Sequence, residues 1–363
     1  MSMVTREQVE EALTQYIEPN MGKDLVAAKA IKDVTIDAGK VSLTIELGFP
    51  IDGCRQDIEN DIQQYVKALD SVADVDVALN TKIVAHSVQK GLKAFPNIKN
   101  IIAVASGKGG VGKSTTSVNL ALALAAEGAN VGILDADIYG PSQPRMLGSQ
   151  DKPDSKDGRS MEPLMAHGLQ SMSIGYLIDD ESPMIWRGPM VTQALEQLLR
   201  DTNWRDLDYL VIDLPPGTGD VQLTLAQKIP VTGAVIVTTP QDIALLDARK
   251  GLKMFEKVEV PVLGIIENMS THICSQCGHE EHIFGQGGGE QMAEQYHIDL
   301  LGSLPLDISI RTAVDEGKPS VVEAPDSDIA NAYRVIARKV AAKMALQAKD
   351  YTSKFPNIVV QNT

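Results

Sequence analysis

A glycine-rich run has the residue types and the spacing of a phosphate-binding loop. It fits the pattern G-x-x-x-x-G-K-[ST], follows an apolar strand candidate at 101–105 and precedes an apolar helix candidate at 116–126. Glycines let backbone N–H groups surround phosphates, while the lysine binds the β- and γ-phosphates and the next hydroxyl binds Mg²⁺. The run therefore predicts a site for a magnesium nucleotide, formed by Gly107, Lys108, Gly109, Gly110, Val111, Gly112, Lys113, Ser114 and Thr115.

Three aspartates follow buried strand candidates. Asp135 and Asp137 come after residues 131–134, and Asp213 comes after residues 209–212. A magnesium nucleotide requires carboxylates that hold the water shell of the ion and position an attacking water. Asp213 opens the segment Leu-Pro-Pro-Gly-Thr-Gly-Asp, whose glycines favour a loop that responds to the γ-phosphate. Taken singly, each aspartate also fits a turn or a helix cap.

The segment His-Ile-Cys-Ser-Gln-Cys-Gly-His, residues 272–279, contains a C-x-x-C pair. The glycine after the pair favours a tight turn in which both thiolates face one metal. Cys274 and Cys277 are only two ligands, whereas a [4Fe–4S] cluster or a Cys₄ zinc site takes four, so a two-fold axis joining two chains would complete the set. Three alternatives stay open: a zinc site completed by His279 and His282, a reversible dithiol, and a pair without chemical function.

The elements that must position these residues indicate an α/β fold. The strand candidates are apolar throughout, as in a parallel sheet covered on both faces, and lie at 101–105, 131–134, 209–212, 234–238, 262–266 and, more weakly, 300–303. The pattern predicts a P-loop NTPase with a doubly wound, mostly parallel sheet, preceded by a small α+β domain. Residues 140–190 are rich in Pro, Gly, Ser and Met and predict mobile segments between strands.

The first part of the chain predicts the small α+β domain. Helical spacing marks residues 5–17, with Thr5 and Gln8 as a capping box, and residues 55–68. Alternating residues at 34–37 and 41–47 predict a hairpin, and 72–79 a last strand. We therefore divide the chain into an α+β domain at 1–90, a linker at 91–99, an ATPase domain at 100–347 and a C-terminal tail at 348–363.

Composition limits the partners. The formal net charge of −15 disfavours broad binding to nucleic acid or to an anionic membrane. Three cysteines do not make a disulfide framework, and neither a signal peptide nor a membrane-spanning run is present, so we expect a cytoplasmic protein. An amphipathic helix at 329–349 is interpreted as a closing helix on the sheet, with a membrane-surface helix as the alternative.

Several motifs together resemble the Mrp/ApbC/Nbp35 iron–sulfur cluster carriers, a family with a deviant phosphate-binding motif. The resemblance spans about residues 95–325 and rests on Lys-Gly-Gly-Val-Gly-Lys-Ser-Thr, Asp-Ala-Asp-Ile-Tyr-Gly-Pro-Ser, Trp-Arg-Gly-Pro-Met, Leu-Pro-Pro-Gly-Thr-Gly-Asp, Thr-Pro-Gln-Asp and Glu-Asn-Met-Ser before the C-x-x-C pair. The first 90 residues resemble the MIP18-type domain of iron–sulfur assembly. The cysteine position of that domain corresponds loosely to Cys54, for which a buried, inert thiol is the alternative.

The resemblance implies a role for each site residue. Lys108 would reach the nucleotide of a partner chain, although a solvated lysine is the alternative, and Asp137 would orient the hydrolytic water. Asp135 and Asp213 would hold Mg²⁺ through water, and Asn268 would read the adenine edge of ATP, with a turn-forming residue as its alternative. The homodimer would hold a labile iron–sulfur cluster, expected to be [4Fe–4S], on Cys274 and Cys277.

The predicted function is slow ATP hydrolysis coupled to cluster transfer from an assembly scaffold to apo iron–sulfur proteins. Nucleotide binding would draw two chains together, and hydrolysis would change the geometry around the cysteines. Two alternatives remain: a ParA/MinD-like positioning ATPase with a structural zinc site, and a nucleotide-dependent scaffold with negligible turnover.

Overall fold

The computed structural model describes residues 4–178 and 188–349 and begins with an α+β module. The hairpin of the module has the predicted antiparallel pairing, and its last strand pairs in parallel because a helix crosses over before it. The capping box is confirmed, since Gln8 N donates to Thr5 Oγ1 at 3.3 Å and Thr5 N donates to Gln8 Oε1 at 2.9 Å. The elements of the module are α1 (Arg6–Leu13), β1 (Ile17–Glu18), β2 (Lys23–Asp24), β3 (Ile31–Asp37), β4 (Lys40–Leu47), α2 (Arg55–Lys67) and β5 (Asp74–Thr81).

A larger α/β domain follows, with strands and helices that alternate along most of its length. Its elements are β6 (Ile98–Ala105), α3 (Lys113–Ala126), β7 (Val131–Asp135), α4 (Gln143–Met146), β8 (Leu164–Ala166), β9 (Leu169–Ser173), a 3₁₀ turn (Ile174–Tyr176), α5 (Gly188–Asp201), β10 (Leu207–Asp213), α6 (Asp220–Lys228), β11 (Gly233–Thr238), α7 (Asp242–Lys257), β12 (Val262–Glu267), β13 (His272–Ile273), β14 (Glu280–Glu281), α8 (Gly288–Tyr296), β15 (Leu300–Ser303), α9 (Ile308–Asp315), α10 (Ser320–Glu323) and α11 (Asp328–Ala345).

One large sheet organises this domain. Within residues 4–178 and 188–349 it has eight strands in the order β15-β12-β11-β6-β10-β7-β9-β8, and every neighbouring pair is parallel except β8 with β9. This confirms the predicted doubly wound sheet, including its weakest strand, β15. The parallel strands end at one edge, so the loops after β6, β7, β10, β11 and β12 lie close together there.

The segment 140–190 contains more structure than the sequence predicted. α4, β8 and β9 all lie within it, and β9 pairs with β7. β9 has few apolar residues, but its polar side chains are buried and hydrogen-bonded. Gln170 Nε2 donates to Arg205 O at 2.8 Å, and Ser173 Oγ donates to Asp135 Oδ2 at 3.1 Å. A search of the sequence for runs of apolar residues does not find a strand whose buried side chains are polar and hydrogen-bonded. The Trp-Arg-Gly-Pro-Met motif begins with Trp186 and Arg187, which lie outside the described residues.

The predicted C-terminal helix is α11, and it packs against α3. Tyr333, Ile336 and Val340 are buried in the same apolar core as Phe49 and Ile51 of the module. This confirms the interpretation of α11 as a closing helix. In the part of the chain that the structure describes, no helix is both long and apolar enough to cross a bilayer.

Candidate nucleotide and metal-binding site

The glycine-rich run forms the predicted turn between β6 and α3. Gly110 and Gly112 have φ angles of +82° and +81°, which glycine adopts without the strain of a side chain. A Cβ atom on Gly107 would lie 2.2 Å from the backbone carbon of Asp247, because the loop lies against α7. The first turn of α3 presents its N–H groups to the loop, which is the usual arrangement for binding a phosphate.

Lys113 is buried in an ion pair at the first residue of α3. Its ammonium donates to Asp213 Oδ1 and, at 3.2 Å, to Ser114 Oγ. Asp213 Oδ1 also accepts a hydrogen bond from Ser117 Oγ at 3.0 Å, and Asp213 Oδ2 accepts one from Gln143 Nε2 at 3.0 Å. Asp213 is therefore the counter-ion of Lys113, and a nucleotide phosphate that binds Lys113 would compete with this carboxylate for the ammonium.

Asp135 is completely buried and organises the loop that follows β7. Its Oδ2 accepts hydrogen bonds from Ser142 N at 2.9 Å and Gln143 N at 3.0 Å, and its Oδ1 accepts one from Asp137 N at 3.1 Å. Burial, together with the nearby Asp213 carboxylate, raises the pKa of Asp135 to about 7. Burial also raises the pKa of Asp137. The structure thus brings the three predicted aspartates to one place; their individual roles stay predictions.

The oxygen atoms around Asp135 and Asp213 have the chemistry that a hydrated Mg²⁺ ion prefers. Ser142 Oγ and Gln143 Oε1 are buried and have no hydrogen-bond partner among the described residues. Together with the Ser114 hydroxyl and the carboxylates of Asp135 and Asp213, these two atoms form a set of hard oxygen ligands. Mg²⁺ prefers such ligands and binds them largely through water. The chemistry of the donors is consistent with the predicted ion.

Asn268 follows β12 and contacts the phosphate loop directly. Its Nδ2 donates to Val111 O at 2.9 Å, and a Cβ atom on Gly112 would lie 2.2 Å from the same nitrogen. The side chain therefore positions the loop, a contact that the sequence did not predict. Adenine recognition by Asn268 stays a prediction.

Lys108 lies on the partly exposed side of the loop. Its carbonyl accepts a hydrogen bond from Ser106 Oγ at 2.9 Å, and its ammonium forms no salt bridge with any described residue. The loop after β10 is joined to this segment, because Gly217 N donates to Ser106 O at 2.9 Å. A change in that loop can thus reach the phosphate loop, while contact of Lys108 with a partner chain stays a prediction.

Three buried side chains of this site were missed by sequence reasoning. Ser117 lies four residues after Lys113, on the same face of α3, and helical periodicity could have identified it. Gln143, in the four-residue helix α4, touches Asp213, and Ser173, at the end of the weakly apolar strand β9, touches Asp135. No spacing in the sequence marks those two contacts.

The cysteine pair lies in a short hairpin between β13 and β14. Cys274 N donates to His279 O at 2.9 Å, and Gly278 N donates to Cys274 O at 2.8 Å. Gly278 has a φ angle of +72°, which the tight turn requires. Cys277 is exposed and Cys274 partly so. The backbone N–H groups of Gln276 and Cys277, then the Cys277 thiol, lower the pKa of Cys274, which favours the thiolate that binds metals.

The single-chain zinc site that the sequence left open is not formed. His282 Nδ1 lies 3.0 Å from Ser270 O, and His279 Nε2 lies 3.9 Å from Glu281 Oε1. Across the described ranges, no three His, Cys, Asp or Glu side chains are grouped closely enough to hold a metal ion. Further ligands for the two thiolates would therefore have to come from outside this set.

Cys54 lies far along the chain from the hairpin, at the N-terminal cap of α2. It is half-buried, its side chain makes no capping hydrogen bond, and burial raises its pKa to about 11. These features fit an inert thiol. Its correspondence to the cysteine of MIP18-type domains stays a prediction.

Comparison with known proteins finds relatives over nearly the whole chain. Residues 97–341 match the family described as NUBPL iron-transfer P-loop NTPase, and residues 6–78 match the family described as iron–sulfur cluster assembly protein. An iron–sulfur cluster carrier protein of Escherichia coli K12 is 52% identical over 345 residues, which is 95% of this chain and 94% of the relative. The mouse iron–sulfur cluster transfer protein NUBPL is 51% identical over 266 residues, 73% of this chain and 83% of the relative.

Solved structures share the fold of the larger domain. A nucleotide-binding protein of Archaeoglobus fulgidus in complex with ADP has a TM-score of 0.55 and 38% identity, covering 64% of this chain and 90% of its own. The cell division ATPase MinD of Pyrococcus furiosus has a TM-score of 0.50 and 24% identity, covering 66% of this chain and 98% of its own, and it shows the fold alone.

Proposed function

Because this chain belongs to the family of NUBPL iron-transfer P-loop NTPases, we propose that it is an ATP-dependent carrier of iron–sulfur clusters. The observation that carries the proposal is the position of the cysteine hairpin. It follows β12, the strand whose next residue, Asn268, is hydrogen-bonded to the phosphate loop. A change at the nucleotide site can therefore reach Cys274 and Cys277 through a few residues of one loop.

The cluster is held between two chains. Each chain contributes two thiolates, and a [4Fe–4S] cluster takes four. Exposed apolar side chains support a docking surface for a second copy: Ile273 and Ile283 lie in or beside the hairpin, and Ile243 and Leu246 lie in the first turns of α7. The working unit is thus a homodimer. The cluster lies at the interface of the two chains, where it is accessible for transfer to apo-proteins.

The nucleotide site hydrolyses ATP slowly in this scheme. Lys113 leaves Asp213 and binds the β- and γ-phosphates, and Lys108 contacts the nucleotide of the partner chain. Asp137 orients the water that attacks the γ-phosphorus, the bond to the β–γ bridging oxygen breaks, and ADP and phosphate leave. Mg²⁺, when bound through Ser114, Asp135 and Asp213, offsets the phosphate charge. Nucleotide state then controls cluster loading and release in the cytoplasm.

Anaerobic reconstitution tests the cluster site. The wild-type protein is expected to bind about four iron and four sulfide ions per two chains. Cys274→Ser and Cys277→Ser should each lower that content to background, whereas Cys54→Ser, the matched control, should retain it. A colourless wild-type protein, or a full cluster in Cys274→Ser, would reject the carrier assignment.

Transfer kinetics test the coupling to nucleotide. The reconstituted protein is mixed with an apo [4Fe–4S] protein, with and without Mg-ATP, and the activity of the acceptor is followed over time. We expect the transfer rate or the cluster affinity to change with nucleotide. Equal values in both conditions would separate the ATPase from the carrier function, even if the cluster site itself were correct.

A further inference from the structure

Gln143 is the first residue of α4 and touches three parts of the candidate nucleotide site. Its backbone N donates to Asp135 Oδ2 at 3.0 Å, and its side-chain Nε2 donates to Asp213 Oδ2 at 3.0 Å and to Ser114 O at 3.1 Å. The residue is 1% exposed, so these bonds are shielded from water. A single amide thus connects the phosphate loop, the end of β7 and the end of β10.

The hydrogen bonds of Gln143 contribute most to holding the Asp213 carboxylate when Lys113 moves away from it towards a phosphate. Asp213 Oδ1 is paired with Lys113 in this structure, while Asp213 Oδ2 is held by Gln143. If a phosphate draws Lys113 away, the Asp213 carboxylate loses its cation and is left beside the Asp135 carboxylate. The amide of Gln143 is then a remaining neutral donor that fixes its orientation, and hydrogen bonds to charged acceptors are among the stronger ones.

The carbonyl oxygen of the Gln143 side chain has no partner among the residues that the structure describes. Gln143 Oε1 is buried and accepts no hydrogen bond from any residue that the structure describes. A buried carbonyl oxygen without a donor is costly, and natural sites usually satisfy it with water or a ligand. Mg²⁺ keeps several of its waters when it binds, and each such water is a strong donor.

We propose that Gln143 is a positioning residue for the magnesium nucleotide. Its amide nitrogen holds the Asp213 carboxylate and the Ser114 carbonyl, and its amide oxygen accepts a hydrogen bond from a water on Mg²⁺. The inference rests on the proposed nucleotide site, but it is independent of the cluster.

The test compares nucleotide affinity with and without Mg²⁺. A fluorescent ADP analogue is titrated into the full-length protein in MgCl₂ and in EDTA. The Kd in EDTA divided by the Kd in MgCl₂ measures how strongly Mg²⁺ assists binding. In Gln143→Met, which keeps the length of the side chain, this ratio should fall about tenfold, the loss expected for a hydrogen bond to a charged group. In Gln143→Asn, which keeps an amide one methylene shorter, an intermediate fall is expected, and this variant serves if Gln143→Met does not fold.

Gln170→Met is the matched control. Gln170 is also buried, and both ends of its amide bond the backbone of Arg205 at 2.8 Å, away from the loops that carry the nucleotide site. The control should keep the wild-type ratio even if it loses stability. A wild-type ratio in both Gln143 variants, or the same loss in Gln170→Met, would overturn the inference. A wild-type protein that binds no nucleotide in either buffer would overturn the proposed nucleotide site and the inference with it.

Discussion

Two of the three cysteines, Cys274 and Cys54, have thiols of contrasting chemistry. Backbone N–H groups in the tight hairpin lower the pKa of Cys274, whereas burial raises the pKa of Cys54 to about 11. The thiolate is the form that binds metal and reacts with electrophiles. The C-x-x-C spacing predicted which two residues form the pair, but no pattern in the sequence shows the environment of Cys54. That environment depends on how the module packs against α11.

Alkylation rates test this contrast. The apoprotein is treated with a small excess of iodoacetamide at neutral pH, and the modified cysteines are identified by mass spectrometry over time. We expect Cys274 to react at least 100-fold faster than Cys54, because a thiol with a pKa near 11 is almost entirely protonated at neutral pH. Equal rates would show that Cys54 is more accessible and more ionised than its position at α2 indicates.

Helix α3 connects the nucleotide site to the N-terminal module. Lys113 opens the helix, and at its other end Glu127, completely buried, accepts hydrogen bonds from Gly53 N at 2.9 Å, Arg334 Nε at 2.8 Å and Arg338 at 2.7 Å. The sequence predicted α3 because its apolar residues follow the phosphate loop. It did not predict the ion cluster, since an acidic residue at a helix end usually faces solvent and its partners lie about two hundred residues away.

In the sheet, too, apolar elements were predicted from the sequence and buried polar contacts were not. β6, β7, β10, β11 and β12 were predicted because they are largely buried and therefore mostly apolar, whereas β15, an edge strand in which only Leu301 is buried, gave the weakest pattern. β9 was missed because hydrogen bonds across the sheet, rather than apolar contacts, satisfy its polar side chains. The same difference separates the residues of the candidate nucleotide site. Residues in motifs at strand ends were found, and buried partners such as Gln143 were not, because they act through contacts distant in sequence.

Removal of the charge at the end of α3 should destabilise the protein strongly. Glu127→Gln leaves Arg334 and Arg338 without their shared anion, and we expect the free energy of unfolding to fall by about 3–5 kcal/mol. Denaturation followed by circular dichroism measures the loss. Glu323→Gln is the control, because Glu323 forms an exposed pair with Lys318 at 3.8 Å that should contribute less than about 1 kcal/mol. Similar losses in both variants would mean that the buried cluster does not hold the module in place.

At the scale of the whole molecule, charge and apolar surface oppose each other. A formal net charge of −15 makes two copies repel, more so at low ionic strength. Close association therefore needs an apolar surface that is large enough to offset the repulsion. The exposed apolar residues Ile273 and Ile283, in or beside the cysteine hairpin, and Ile243 and Leu246, in the first turns of α7, are the ones that we assign to the proposed dimer contact and name the hairpin surface.

A charge placed on the hairpin surface should prevent dimerisation without unfolding the chain. Ile243 is 68% exposed, so Ile243→Asp costs little within one chain but places an unpaired carboxylate in the proposed interface. Sedimentation velocity in the presence of a non-hydrolysable ATP analogue should show wild-type dimers and mutant monomers, and the mutant should lose most of its reconstituted iron. Met165→Asp is the matched control, because Met165 is 63% exposed on β8, at the far edge of the sheet from β12 and the cysteine hairpin. If Ile243→Asp dimerises and holds iron as Met165→Asp does, the two chains meet elsewhere. If it loses the dimer and keeps its iron, two thiolates of one chain are enough to hold the metal, and the shared-cluster geometry is wrong.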